Sequence, residues 1–364
     1  MFFNRSTLHR TSLQQLIRGN ALQCSPLTLF ISSSFLRIRI KNAGGVILGL
    51  AAGFLISYLT NPNKWLQLKE NSGSVFRENH NMDDFTVANQ LRNEVKVLCL
   101  ILTTANNHQT RALHVKNTWG RRCNKLLFMS DKEDKDLDTV GLNVTHDHAH
   151  LWGKTKLSFE YIYKYHVNDY DWFLKADDDT YVIVENLRYM LQRHSPESPI
   201  YFGNQFQITT PFHQIYMSGG AGYVLSREAV KRFVEKAIPN KKICVSGTEG
   251  PEDLILGFCL SNVNVTAVDT RDHMGRGTFF PFEPAAHLVP GSNIDPDYWY
   301  IKYSVHGVHY GLQCCSDNAI SFHYVKPADM YLFDYLIYSL HPYGIIKYPQ
   351  FPHKSAVEQN TTKS

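Results

Sequence analysis

Apolar residues follow two different patterns along this chain. The first is a single uncharged run, AGGVILGLAAGFLISYLT over residues 43–60, close to the roughly 17-residue lower limit for a helix that spans a bilayer. The second begins near Glu94 and consists of short apolar runs separated by polar turns and amphipathic stretches. VKVLCLIL, from Val95 to Leu102, reads as a strand covered on both faces. The spacing then predicts a helix over Thr110–Trp119, a second buried strand over Lys125–Ser130, a helix over Thr155–His166 and a short strand over Trp172–Leu174. In the second helix the aromatic stripe Phe159, Tyr163 and Tyr165 is expected to face inward. Such alternation predicts an α/β sheet with its binding crevice at the carboxyl ends of the strands.

Charge orients the first pattern. No acidic residue precedes Glu70, and Arg37, Arg39 and Lys41 stand just before the apolar run, so the positive-inside rule leaves the N-terminus in the cytosol. The expected organisation is a cytoplasmic tail (1–42), a signal anchor (43–60), a stem (61–93), one lumenal catalytic domain (94–350) and a frayed tail (351–364). The Arg- and Ser-rich start also suits a mitochondrial presequence, but a presequence would not account for the lumenal features of the rest of the chain. Three glycosylation sequons begin at Asn143, Asn264 and Asn360, and six cysteines lie after the anchor (Cys99, Cys123, Cys244, Cys259, Cys314 and Cys315). An even cysteine number fits disulfides, with fifteen connectivities open. Hydrophobic residues make up 43% of the chain, too many for a disordered protein. The net charge of +4 comes from dispersed Lys and Arg, which excludes a nucleic-acid groove.

The chemistry-bearing candidates start with Asp177, Asp178 and Asp179 in WFLKADDDTYV. Adjacent carboxylates repel, so a fold keeps them together mainly where a cation or a set of donors compensates. A solvated acidic loop reads the same from the triplet alone; its position after a buried strand favours a divalent metal that binds a diphosphate. Pro251-Glu252-Asp253 reads as the first turn of a helix, with acids beside the positive end of its dipole; one of them could also be a general base. In MSGGAGYVLS, from Met217 to Ser226, the glycines allow either a close backbone approach to a ligand or an ordinary lead into a strand. Tyr298-Trp299-Tyr300 offers flat faces for a sugar or for the core. His323 is a lone histidine, either structural or the completing ligand of a metal shell.

Together the stretches HVKNTWGRRCNKLLFMS, DWFLKADDDTYVI, PIYFG, YMSGGAGYVLS, EDL, CCSD, SFHYV and HPYG, in this order, resemble the animal core 1 β1,3-galactosyltransferase family from about Val95 to Tyr348. The resemblance implies a GT-A nucleotide-sugar-binding fold. It implies inverting transfer of galactose from UDP-galactose to the 3-hydroxyl of GalNAcα-Ser/Thr on glycoproteins, with Mn2+ in preference to Mg2+, at the Golgi membrane. Asp177, Asp179 and His323 match the metal positions and Asp253 the catalytic base. Thr104, Lys116, Arg122, Lys175 and Asp178 fall in segments bordering the donor, and Tyr223, Trp299 and Tyr300 in segments near the acceptor. Partners implied are UDP-galactose, GalNAc-bearing glycoproteins, the membrane and a second copy in a homodimer. The segment from Cys244 to Asp253 and the stretch His213–Tyr216 depart from the family pattern, which bears on the acceptor. The alternatives are a related β1,3-transferase using a glycolipid acceptor or UDP-GlcNAc, and a non-catalytic lumenal folding partner.

Overall fold

The computed structural model describes residues 85–144, 148–210, 213–290 and 298–342. The expected anchor, residues 61–84 of the expected stem and the C-terminal tail lie outside the described residues, among which no helix is long and apolar enough to cross a membrane.

Helix α1 (Thr86–Glu94) leads into β1 (Val97–Leu102). A π-type turn (His108–Ala112), α2 (Leu113–Asn117) and a 3-10 turn (Trp119–Arg122) carry the chain to β2 (Lys125–Ser130) and β3 (Thr139–Gly141). Next come α3 (Leu151–Tyr165), β4 (Trp172–Asp177), β5 (Tyr181–Val182), α4 (Val184–Leu191), β6 (Ile200–Gly203), the hairpin of β7 (Gln205–Ile208) and β8 (Gln214–Met217), and β9 (Tyr223–Ser226). The last part holds α5 (Arg227–Arg232), α6 (Glu252–Ser261), β10 (Thr266–Val268), β11 (Phe279–Phe280), α7 (Pro284–Leu288), α8 (Trp299–Tyr303), β12 (Ser321–Phe322) and α9 (Pro327–Tyr338).

A seven-stranded mixed sheet in the order β10-β6-β9-β4-β1-β2-β3 forms the centre, with β3, β2, β1 and β4 parallel and β9 antiparallel to β4. Every residue of β1 is buried, because the strand is central and covered on both faces. Its side chains alternate with period two. Val97, Cys99 and Ile101 join a core with Val115, Leu187 and Met330, whereas Leu98, Leu100 and Leu102 join a core with Phe159, Val230 and Leu256. One face of the sheet is thus covered from α2, α4 and α9, the other from α3, α5 and α6.

The structure corrects several local expectations. The helix expected over Thr110–Trp119 is broken into three short pieces, because Thr118 leaves helical dihedrals (φ −111°, ψ −111°) while its hydroxyl donates back to His114 O. Helix α3 starts four residues earlier than expected, and Tyr165 is 51% exposed. Phe159 and Tyr163, four apart, share a face; Tyr165, two further on, falls off it. Strand β4 runs three residues beyond the expected Leu174, so Asp177 is itself the last strand residue. Three disulfides pair Cys99 with Cys123, Cys244 with Cys259, and Cys314 with Cys315. The second closes a 15-residue span just ahead of and into α6, a loop whose constraint stabilises by about 3 kcal/mol on chain-entropy grounds.

Candidate active site

The site lies where β1 and β4 end. Asp177 is the C-terminal residue of β4, level with Leu102 of β1, and Asp178 and Asp179 form the turn into β5. A small second sheet, β11-β12-β5, then brings a distant segment alongside: β12 pairs antiparallel with β5, matching Phe322 to Tyr181. Val325 N donates to Asp179 O at 2.9 Å. His323, the residue after β12, is thereby fixed against the acidic turn. Its Nε2 stands 3.2 Å from Asp179 Oδ1 and 3.9 Å from Asp177 Oδ2. One donor atom from each of Asp177, Asp179 and His323 lies within 4.8 Å of the others. Two carboxylate oxygens and an imidazole nitrogen at this spacing could hold a divalent ion.

Each of these two carboxylates has its second oxygen held by a cation. Asp177 Oδ1 accepts from Lys175 Nζ at 2.8 Å and Asp179 Oδ2 from Arg111 at 2.9 Å, leaving Oδ2 of Asp177 and Oδ1 of Asp179 turned to His323. Burial opposes ionisation of Asp179, yet His323 and Arg111 outweigh it and hold the carboxyl below its usual range. Asp178 points the other way. It is 5% exposed and accepts from Thr103 Oγ1 (2.7 Å) and Asn107 Nδ2 (3.0 Å); burial, offset in part by these two bonds, raises its pKa. The middle carboxylate therefore ties the acidic turn to the end of β1.

Across the glycine turn stands the second acidic pair. Pro251 is the N-cap of α6 and Glu252 and Asp253 occupy its first turn, where the helix dipole favours negative charge. Asp253 Oδ2 accepts from Gly219 N at 3.0 Å and Oδ1 from Leu254 N at 2.8 Å. Burial nevertheless raises the pKa of Asp253. The glycines have distinct steric reasons. A Cβ on Gly220 would fall inside the His323 imidazole, and one on Gly219 would meet Glu252 Oε2 at 3.0 Å. Gly222 takes φ +78°, a conformation L side chains rarely adopt.

The remaining expected residues divide into two groups. Trp299 is 43% exposed and packs edge-on to Phe206 at 5.7 Å; it stands at the surface of an aromatic group with Phe282, Tyr298 and Tyr300. Tyr300 is buried within that group, and Tyr223 is wholly buried, its hydroxyl donating to Glu252 Oε1 at 2.5 Å. Lys175 is 2% exposed and meets Asp177, Gly219 O and Glu252. Lys116 donates to Asp136 O. Arg122 pairs with Asp334 at 2.5 Å and lies over the Tyr338 ring at 3.6 Å, so its guanidinium is engaged by α9. Thr104 is the half-buried N-cap of the turn that carries Asn107. Sequence reasoning missed Arg111, Thr103 and Asn107, and named Glu252 only as one of two acids at a helix start. The first three lie in a polar turn straight after a buried strand that ends at the crevice, the one signal that could have marked them.

A family model described as Fringe-like matches residues 92–274. The chain is 43% identical over 314 residues to Glycoprotein-N-acetylgalactosamine 3-beta-galactosyltransferase 1 of Xenopus laevis, covering 82% of this chain and 85% of that protein. It is 27% identical over 216 residues to Beta-1,3-glucosyltransferase of Mus musculus, covering 57% of this chain and 43% of that protein. Chondroitin sulfate synthase 3 of Homo sapiens is 23% identical over 150 residues, 37% of this chain and 17% of that protein.

Proposed function

Because this chain belongs to the Fringe-like family of β1,3-glycosyltransferases, we propose that it transfers galactose from UDP-galactose to the 3-hydroxyl of GalNAcα-Ser/Thr on glycoproteins. The observation that carries this reading is the placement of Asp177, Asp179 and His323 on one side of the Gly219–Gly220 turn and of Asp253 on the other. The donor and acceptor identities rest on the 43% identical relative.

Asp177, Asp179 and His323 would hold Mn2+, which when bound supplies positive charge opposite a nucleoside diphosphate leaving group. Asp253 takes the proton from the acceptor hydroxyl as that oxygen attacks the anomeric carbon. Its pKa, raised by burial, makes it a stronger base than an ordinary aspartate. The amides of Gly219 and Leu254 aim the carboxylate and stabilise its charged form. A single displacement of this kind inverts the anomeric configuration and needs no carboxylate nucleophile. Trp299 supplies a flat exposed face for the acceptor sugar.

The mixed sheet with acids at the carboxyl ends of its parallel strands supports a GT-A fold for the domain. We read the protein as a single-pass type II enzyme of the Golgi membrane, on the uncharged run at 43–60 and the basic residues before it. The deciding experiment is transfer from UDP-galactose to a GalNAc-Ser/Thr glycopeptide with Mn2+ and with chelator. The reading expects a Mn2+-dependent β1,3-linked product. Transfer only from UDP-GlcNAc, or only to a glycolipid, would move the activity to a sister β1,3-transferase; binding of neither UDP nor Mn2+ would remove the enzyme reading.

A further inference from the structure

Two buried charges take no direct part in that reaction. Lys175 lies on β4, two residues before Asp177, and Glu252 opens α6 beside Asp253. Lys175 is 2% exposed and Glu252 7% exposed. Burying an ammonium costs several kcal/mol unless partners compensate, and the partners of Lys175 come from three separate pieces of the site. Its Nζ donates to Asp177 Oδ1 at 2.8 Å and to Gly219 O at 3.2 Å, and stands 3.9 Å from Glu252 Oε2. Glu252 is held in turn by Thr155 Oγ1 at 2.9 Å and Tyr223 OH at 2.5 Å. The β4–β9 register sets Tyr223 directly opposite Lys175, and the ammonium lies 5.5 Å from the Tyr223 ring centre.

Gly219 makes this a mechanical link. Its carbonyl accepts from Lys175 while its N–H donates to Asp253 Oδ2. One ammonium therefore touches a metal-ligand carboxylate and also the carbonyl of the same glycine whose N–H, in the preceding peptide unit, aims the base. Resting on the assignment of Asp253 as base, we propose that Lys175, with Glu252 as its counter-charge, is a positioning residue. It sets Asp177 and Asp253 in a common register and acts through them, without touching the donor.

The test uses the full chain and three variants: Lys175→Met, Glu252→Gln, and the two combined. Mn2+ affinity is read by calorimetry without substrate, UDP affinity separately, folding by thermal unfolding, and kcat and KM with saturating Mn2+. Lys175→Met is expected to weaken Mn2+ binding roughly 10- to 100-fold, as loss of an outer partner of a metal ligand does. Its kcat should fall by about 100-fold or more, with less than a roughly threefold change in KM for UDP-galactose. The single variant leaves Glu252 buried and unpaired and can lose stability for that reason alone. The double variant removes both charges, so it should unfold near the wild-type temperature while keeping the Mn2+ and kcat losses. Recovery of Mn2+ affinity and kcat in the double variant would reduce Lys175 to a stabilising ion and overturn the proposal. A loss confined to UDP affinity would overturn it in favour of a donor contact. If Asp253→Asn kept full activity, the base assignment would fall by itself, and Mn2+ calorimetry on the double variant would still decide the Asp177 half.

Discussion

The proposed metal end and the proposed base end of this site use the same chemical group in opposite environments. At the metal end, Asp179 sits in the turn after β4 with His323 and Arg111 against it, and its pKa is lowered. At the base end, Glu252 and Asp253 sit in the first turn of a helix, and burial raises both. Such divergence separates roles within one cleft: a carboxylate held ionised is suited to bind cations, one pushed upward is suited to take a proton. Both ends converge on the short segment Gly219–Gly220, whose first residue bonds the base and whose second backs the histidine. The division of labour therefore depends on backbone where a side chain would displace one end or the other.

The sharpest way to break this comparison is to disable one end and read the other. Asp253→Asn keeps the shape and removes the proton acceptor. The expected result is a fall in kcat of roughly 10³, within the 10²–10⁴ typical of general-base loss, with Mn2+ and UDP affinities unchanged. If Mn2+ binding fell with kcat, the two ends would not be separate in function. The pH profile supplies the sign. Wild-type kcat should decline as pH drops through the Asp253 pKa, at a pH above the ordinary aspartate value, because the protonated carboxyl cannot accept the acceptor's proton.

The second prediction acts on the shared turn. Gly220→Ala places a methyl group where the His323 ring lies, and the ring has to move because the turn is held by Gly222 N donating to Gly219 O at 3.1 Å. Mn2+ affinity should weaken by roughly 10- to 100-fold, measured calorimetrically, with the protein still folded. Unchanged Mn2+ affinity would mean that the imidazole is not a ligand.

How much of this was legible in the sequence depends on the same division. The acidic triplet was visible because its residues are adjacent and come after a strand, and Asp253 because a helix start after Pro251 has a local signature. Their meeting was not visible. It depends on β12 pairing with β5 and on β9 pairing with β4, contacts between distant segments that no local period encodes. His323 could be placed beside the acids only through family resemblance. The same long-range pairing buries Lys175 and Tyr223, which as isolated residues in a motif read as ligand contacts. Arg122 reads as a donor-side cation in the sequence, yet Asp334, far along the chain, takes its charge. Of the disulfides, parity gave the number and the fold gave the partners.

Acid sensitivity can also arise away from the base, and a third prediction separates the two sources. His287 is 1% exposed, its Nε2 has no hydrogen-bond partner among the described residues, and burial lowers its pKa to about 4. A histidine depressed in the folded state is neutral there while the unfolded chain takes up protons. Its contribution is fully present above about pH 6.5 and is lost as pH falls toward 4. Between pH 7.5 and pH 5 this costs about 2 kcal/mol of stability. The ring sits 4.8 Å from Phe280 and 5.9 Å from Phe282, so phenylalanine suits the space. His287→Phe should raise the unfolding temperature at pH 5 relative to wild type and remove this part of the acid loss. The kcat decline assigned to Asp253 should remain. If wild type and variant lost stability equally on acidification, His287 would not be the source.

The smallest effect is expected where neither end carries charge. Trp299 and Tyr300 are neighbours, but the backbone at the start of α8 turns them apart: Trp299 is 43% exposed and Tyr300 5%. Phe206 and Phe282, each 5.7 Å from the Trp299 ring, brace it from the protein side, so its outer face is held ready for a flat apolar partner such as a pyranose ring. One aromatic contact of this kind contributes about 1 kcal/mol. Trp299→Ala should therefore raise KM for the glycopeptide by up to roughly tenfold, with Mn2+ affinity unchanged. UDP-galactose hydrolysis without acceptor should be unaffected, because that reaction uses the metal end alone. An equal fall in hydrolysis would show that the indole braces the site and does not receive the acceptor, and the aromatic group would then belong to the scaffold shared by both ends.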